Sequence, residues 1–252
     1  MTVPRFRVER MTSTDFSDIL RPCNRRGGDL CTSPISLCWP AAEGSQVHDE
    51  ELRRLEYSTF QQKKWFDIDP TCHFVKAVTK DGEIASIGRW NYFPNGYDKE
   101  LHHVVSAIEF VPAGAAVPEG PFQVELYRDI VLGMMGLRQS WMSKGPAWVL
   151  MAMVTRQCYR KQGAASQLVR WGLEQAGKDD IPAYLEASVT GMPVYAACGF
   201  KQVGEAVPWD LRPYGIDLVF HIAKMAWYPE SDAKSNGRAV LAEASEINGV
   251  EV

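Results

Sequence analysis

The chain has no run of roughly 18 apolar residues that could cross a bilayer, and its start lacks a basic stretch followed by an apolar segment of signal type. No N-x-S/T glycosylation site is present either. A cytoplasmic protein with no membrane partner is the expectation. Its six cysteines, Cys23, Cys31, Cys38, Cys72, Cys158 and Cys198, form no C-x-x-C pair, so zinc-ribbon and dithiol motifs are excluded. They read as reduced thiols. Excess positive charge is missing too: 27 Lys and Arg against 31 Asp and Glu give a formal net charge of −4, which removes any global attraction to nucleic acid. No G-x-S-x-G elbow marks a serine hydrolase, no G-x-x-x-x-G-K-S/T marks a P-loop, and no G-x-G-x-x-G marks a dinucleotide site.

What is there is enough for a real core. The 252 residues are 46% hydrophobic and 23% charged, with eight Trp, so wholesale disorder is excluded. The length favours a single domain over 1–228, with insertions near 21–47 and 94–120 where Pro and Gly cluster, and a polar, aperiodic tail over 229–252. Alternation over Arg5 to Met11 predicts a first strand, and cap-type residues from Thr12 to Leu20 a short helix. A surface helix is predicted between Asp49 and Phe66. Two strand-like runs between Cys72 and Tyr92 flank Asp81-Gly82, which predicts a hairpin with a type I′ turn. Tyr127, Ile130, Val131, Met134, Leu137 and Trp141 define the buried stripe of a long helix that Gly145-Pro146 ends.

The densest signal lies further on. Val149 to Thr155 is a continuous apolar strand, followed by Arg160-Lys161-Gln162-Gly163-Ala164-Ala165 and a helix whose apolar face is Ala165, Leu168, Val169, Gly172, Leu173 and Ala176. A buried strand that turns through glycine into a helix aims unpaired amides and the positive end of the helix dipole at one point, which suits a phosphate. Shorter elements follow: strands at Ala183 to Ala187, Phe200 to Val207 and Ile216 to Tyr228, and a helix at Met192 to Cys198.

The loop resembles the R/Q-x-x-G-x-G/A signature of the Gcn5-related N-acetyltransferases, the GNAT family. Thr155 to Gly163 is similar to the V/T-x-P-x-Y-Q-R-R-G segment of fungal members, with Gln157 in place of proline and Ala165 in place of the final glycine. Tyr184-Leu185-Glu186-Ala187-Ser188 and Val194 to Phe200, containing Tyr195 and Gly199-Phe200, resemble the family's "LEAS … LY-x-x-x-GF" pattern at the expected distance. The likeness covers about residues 147–207.

That resemblance implies a mixed α/β fold: a mostly antiparallel sheet of six to seven strands, helices on both faces, and a parallel strand pair that splays to admit acetyl-coenzyme A. It implies that main-chain groups of Met153, Val154 and Thr155 bind the pantetheine arm. Arg160, Lys161, Gln162, Gly163, Ala164, Ala165 and Ser166 would hold the diphosphate. Tyr195 would act as general acid toward the coenzyme A thiolate. The family's carboxylate early in the strand before the loop is missing, since Ala147-Trp148-Val149-Leu150 holds no acid. Glu186, Glu109, His102 and His103 are the candidate bases by chemistry, beside a water relay. No metal is needed. Trp39, Trp65, Trp90, Tyr92 and Phe93 could line an aromatic acceptor pocket, Arg156 and Arg160 could touch the cofactor or be solvated, and His221 reads as a core or edge residue. The function implied is acetyl transfer to a small-molecule amine by a monomer or homodimer. A protein N-terminal or lysine acetyltransferase and a non-catalytic acyl-CoA-binding module are the alternatives.

Overall fold

The computed structural model describes residues 5–19, 38, 59–60, 62–99, 123–142 and 144–230. They build a sheet in which β1 (Arg7–Arg10), β2 (Cys72–Val78), β3 (Ile84–Phe93), β4 (Ala147–Thr155), β5 (Ala183–Ser188) and β8 (Val219–Trp227) lie side by side in that order. The short strands β6 (Lys201–Gln202) and β7 (Val207–Asp210) both pair with β8. Every pairing among the described residues is antiparallel except β4 with β5. A parallel pair needs a crossover, and α3 (Ala164–Asp179) supplies it. The expected fold class holds, with eight strands rather than six or seven: the run Phe200 to Val207 divides into β6 and the start of β7, because Gly204 takes a positive φ of 62° between them.

Three shorter helical pieces complete the frame: α1 (Asp15–Ile19), a helical run at residues 62–68, and α4 (Met192–Ala197). The long α2 (Val124–Trp141) ends at Met142, whose extended ψ of 149° stops the helix before Gly145-Pro146 is reached.

Helix α3 lies on one face of the sheet. Ala164, Leu168, Val169, Gly172, Leu173 and Ala176 are buried there, while Ala165 at the start of the predicted stripe is only partly covered. Gly172 is required for the approach, since a Cβ at that position would sit 2.1 Å from the Trp90 indole. The indole N–H donates to the Leu168 carbonyl at 3.2 Å, so a fully buried tryptophan keeps its polar atom satisfied. On the opposite face α2 brings Trp141 and Met142 against Val149, Tyr184 and Phe93. That face also carries charge.

The β2–β3 hairpin is present with a different turn. Gly82 has φ 84° and donates to the Thr79 carbonyl, whereas Asp81 keeps a negative φ; this is a three-residue loop with glycine in the left-handed position, not type I′. A Thr79 Oγ1 that accepts from the Glu83 amide fixes this form. Among the cysteines, Cys38, Cys72 and Cys198 are not disulfide-bonded but Cys158 is, which corrects the expectation of six reduced thiols. The other half of that bond lies outside the described residues, and spacing alone does not bring distant cysteines together.

Candidate active site

The site grows from β4. Trp148, Val149 and Leu150 pair with Ala183, Tyr184 and Leu185 of β5, and the pairing stops there. On the other edge β3 continues alongside to Thr155, with a register shift that places Ala152 opposite Arg89 and Leu150 opposite Trp90. Met151 is therefore an extra residue, a β-bulge that bends β4 away from β5 where the two part.

The open edge has defined donors and acceptors. Arg156 N–H donates to the Ala85 carbonyl and Ser86 Oγ donates to the Val154 carbonyl at 2.9 Å, so those two residues turn their main chain toward β3. By strand alternation Met153 and Thr155 turn theirs to the open side. The Thr155 carbonyl receives Arg160 Nε there at 3.3 Å. Of the three residues expected to bond an extended ligand, Met153 and Thr155 are so placed, and Val154 is engaged by the neighbouring strand.

The loop beyond is tied down on several sides. The guanidinium of Arg156 donates to the Asp18 carbonyl at 2.7 Å, which makes this residue an anchor of the loop rather than a solvated charge. Tyr159 hydrogen-bonds Glu83 on the hairpin and meets Phe6 edge to face. Gln162 Nε2 donates to the Cys158 carbonyl at 2.8 Å, while its buried Oε1 has no partner. Lys161 and Gly163 hold positive φ values of 58° and 88°, and open space surrounds the position of a Cβ on Gly163. No side chain caps α3, and its first bond runs from Gln167 N–H to the Gly163 carbonyl. The amides of Ala164, Ala165 and Ser166 thus face outward at the positive end of a 16-residue helix, with exposed Arg160 and Lys161 beside them. Such an arrangement can cradle an anion.

Tyr195 sits on α4, half-buried, and packs against the core beneath α3. One turn further along, Cys198 Sγ donates to the Ser166 carbonyl at 3.8 Å, so α4 is docked on the first turn of α3. The helix that carries Tyr195 thus borders the start of α3.

Glu186, on β5 at the level of the bulge, has a side chain only 3% exposed and takes Arg138 Nε of α2 on Oε2 at 2.9 Å. Burial pushes its carboxyl above the usual range, and the Arg138 guanidinium opposes that rise. Its Oε1 has no hydrogen-bond partner. Glu109, His102, His103 and Trp39 lie outside the described residues. Of the aromatic candidates, Trp90 and Tyr92 belong to the core under α3, which removes them from an acceptor pocket. Phe93 and Trp65 are on the α2 side. His221 is exposed on β8 opposite Pro208. A cleft of about 550 Å³ opens between α2 and β7, lined by Gly133, Gly136, Leu137, Pro208 and Trp209. Among the described residues no group of His, Cys, Asp and Glu could hold a metal ion, and no helix is long and apolar enough to cross a membrane.

Two functional candidates had no place in the sequence reading: Arg89 and Arg138. Arg89 shares its phase with Asn91 on a largely apolar strand, and that pairing was the available signal.

A splayed parallel pair, a bulge at the splay and an uncapped helix after a glycine loop define the GNAT fold. Residues 112–200 match the family model described as Acetyltransferase (GNAT) family. The matched segment carries the glycine loop, the start of α3 and Tyr195. Among solved structures the chain is similar to a histone acetyltransferase HPA2 and related acetyltransferase from Corynebacterium glutamicum, with 22% identity, 89% of this chain and 97% of that one covered, and a TM-score of 0.53. It is also similar to arylalkylamine N-acetyltransferase 2 from Aedes aegypti, at 13% identity, 88% and 98% coverage and a TM-score of 0.49. A third is Naa20 from Chaetomium thermophilum in complex with a bisubstrate analogue, at 11% identity, 91% and 90% coverage and 0.48. No curated protein sequence matches the chain.

Proposed function

We propose that this protein transfers the acetyl group of acetyl-coenzyme A directly to the amine of a small molecule, as a cytoplasmic enzyme of the kind its fungal-type loop sequence resembles. The observation that carries the reading is the uncapped start of α3 beside the unpaired edge of β4: one offers amides for a diphosphate, the other a strand edge for the amides of a pantetheine arm. Ala164, Ala165 and Ser166, with Arg160, Lys161, Gln162 and Gly163, form the phosphate end. Met153 and Thr155 form the pantetheine edge. The cofactor supplies an activated acyl thioester.

The residues of the chain then divide the remaining work. An amine approaching from the α2 face must lose a proton to attack, and Glu186 Oε1 is the carboxylate oxygen left without a partner at the bulge. Its burial favours the protonated form, which raises its strength as a base. Arg138 holds the other oxygen and keeps the carboxylate in place. The new C–N bond forms as the C–S bond breaks, and Tyr195 O–H donates to the departing thiolate. The test is calorimetric titration with coenzyme A, followed by an amine panel with acetyl-coenzyme A read by thiol release. Binding with amine-dependent thiol release is expected. No heat on titration overturns the cofactor assignment, and binding without thiol release on any amine overturns the catalytic one.

A further inference from the structure

Resting on the reading just given, we infer that Arg89 receives a carboxylate carried by the acceptor, so that the acceptor is an amino-acid-type molecule and not a simple amine. Arg89 is 7% exposed on β3, and its Nε and Nη1 are buried without any hydrogen-bond partner. A guanidinium in that state costs the fold stability, because charge removed from water needs compensation by hydrogen bonds or an ion pair. Among the described residues no hydrogen bond reaches Nε or Nη1.

The nearby carboxylates are already engaged. Asp69 Oδ1 accepts from Thr71 N–H at 2.9 Å and Thr71 Oγ1 at 2.7 Å, and Oδ2 from Cys72 Sγ at 3.2 Å and Asn91 Nδ2 at 2.9 Å. Glu186 Oε2 is held by Arg138. The Trp65 ring packs on the guanidinium at 4.8 Å, a contact that uses its face and none of its N–H donors.

Position gives this orphan its meaning. Arg89 pairs with Ala152, the residue after the bulge, and Glu186 lies on the other side of β4 at the same level and on the same face. Two groups of opposite sign, each with unused hydrogen-bonding atoms, therefore flank one alanine where β4 and β5 part. Arg89 and Arg138 against Asp69 and Glu186 sum to zero charge. A zwitterion fills both orphans and keeps that sum: carboxylate to Arg89 Nε and Nη1, ammonium to Glu186 Oε1, from which it is deprotonated for attack.

The experiment uses matched pairs, an amino acid and its decarboxylated amine, such as phenylalanine with phenethylamine and leucine with isopentylamine. For wild-type protein kcat/KM should favour the amino acid by about 10- to 100-fold, the worth of a charge-assisted pair. Arg89→Met should bring the ratio close to one through KM, Arg89→Lys should retain part of it, and Arg89→Met should melt no lower than wild type. Equal use of both pair members by wild type, or an Arg89→Met protein that melts several degrees lower with the ratio intact, overturns the inference. Coenzyme A titration of the same samples separates the two failures. If coenzyme A binds and amines are acetylated without discrimination, only the Arg89 assignment falls. If coenzyme A does not bind, the function falls, and calorimetry of phenylalanine against wild type and Arg89→Met decides Arg89 alone: binding lost in the variant supports it, and absent or equal binding overturns it.

Discussion

The two faces of the sheet are built on different physics. Under α3 the contacts are apolar and close: Trp90 against Gly172, Leu168 against Gly88, Ala176 and Val169 fully covered. Under α2 the same strands carry Arg89, Asn91 and Glu186, facing Arg138 and Asp69. Hydrophobic burial stabilises by roughly 25 cal/mol per Å², whereas a buried ion pair recovers little more than its own desolvation cost. One face is packed chiefly by apolar contacts, and the other adds to its own apolar cluster a set of buried charges at the splay.

Breaking the ion pair gives the largest expected effect. Glu186→Ala leaves Arg138 buried and unpaired and should cost about 3–5 kcal/mol in urea unfolding. The double substitution Arg138→Met with Glu186→Met should return stability to within about 1 kcal/mol of wild type while abolishing acetyl transfer. If the double variant is as unstable as the single, the polar face is structural after all. On the apolar face, Gly172→Ala should cost about 3 kcal/mol, because the new methyl displaces Trp90 and its bond to Leu168. Its Kd for coenzyme A, measured by calorimetry under folded conditions, should not change.

Tyr195→Phe probes chemistry with little change in packing. It should lower kcat about 100-fold, equivalent to about 2.7 kcal/mol of barrier, with coenzyme A affinity within about twofold. Unchanged turnover rejects the acid role. The smallest effect is set by His73, which stacks near Trp148 and accepts from Arg10 on Nδ1 at 2.7 Å. Burial, with Arg10 nearby, pushes its pKa down to about 4 from 6.5. The unfolded chain binds the proton more readily, so this contribution is complete above pH 6.5 and is lost as pH falls toward 4. With the ring only half covered it should be on the order of 1 kcal/mol, visible as a Tm slope over that window that His73→Gln flattens.

Periodicity made the apolar face legible. The stripe of α3, the strand before it and the glycine loop between them depend on neighbours in sequence, and so does the hairpin around Gly82. The turn type was misread because Asp81-Gly82 fixes one positive φ and not two; the Thr79 side chain decides the rest. The polar face was nearly illegible. Arg138 and Glu186 are 48 residues apart, and only the crossing of α2 over β5 makes them partners. Glu186 was named for its carboxylate chemistry, yet its burial and its ion pair come from tertiary packing. The end of β4–β5 pairing at Leu150 left no mark in a run as uniformly apolar as Val149 to Thr155.

The bulge at Met151 also resets the parity of β4. Trp148 and Leu150 point beneath α3, and so does Met153, three places on rather than two. Deleting Met151 would remove the bulge and restore plain alternation, keeping Met153 beneath α3 and in register with Gly88, whereas the same deletion in the regular part of β4 would exchange the inside and outside of everything downstream. A redesign of the opening must therefore count positions from Met151 and not from the start of the strand.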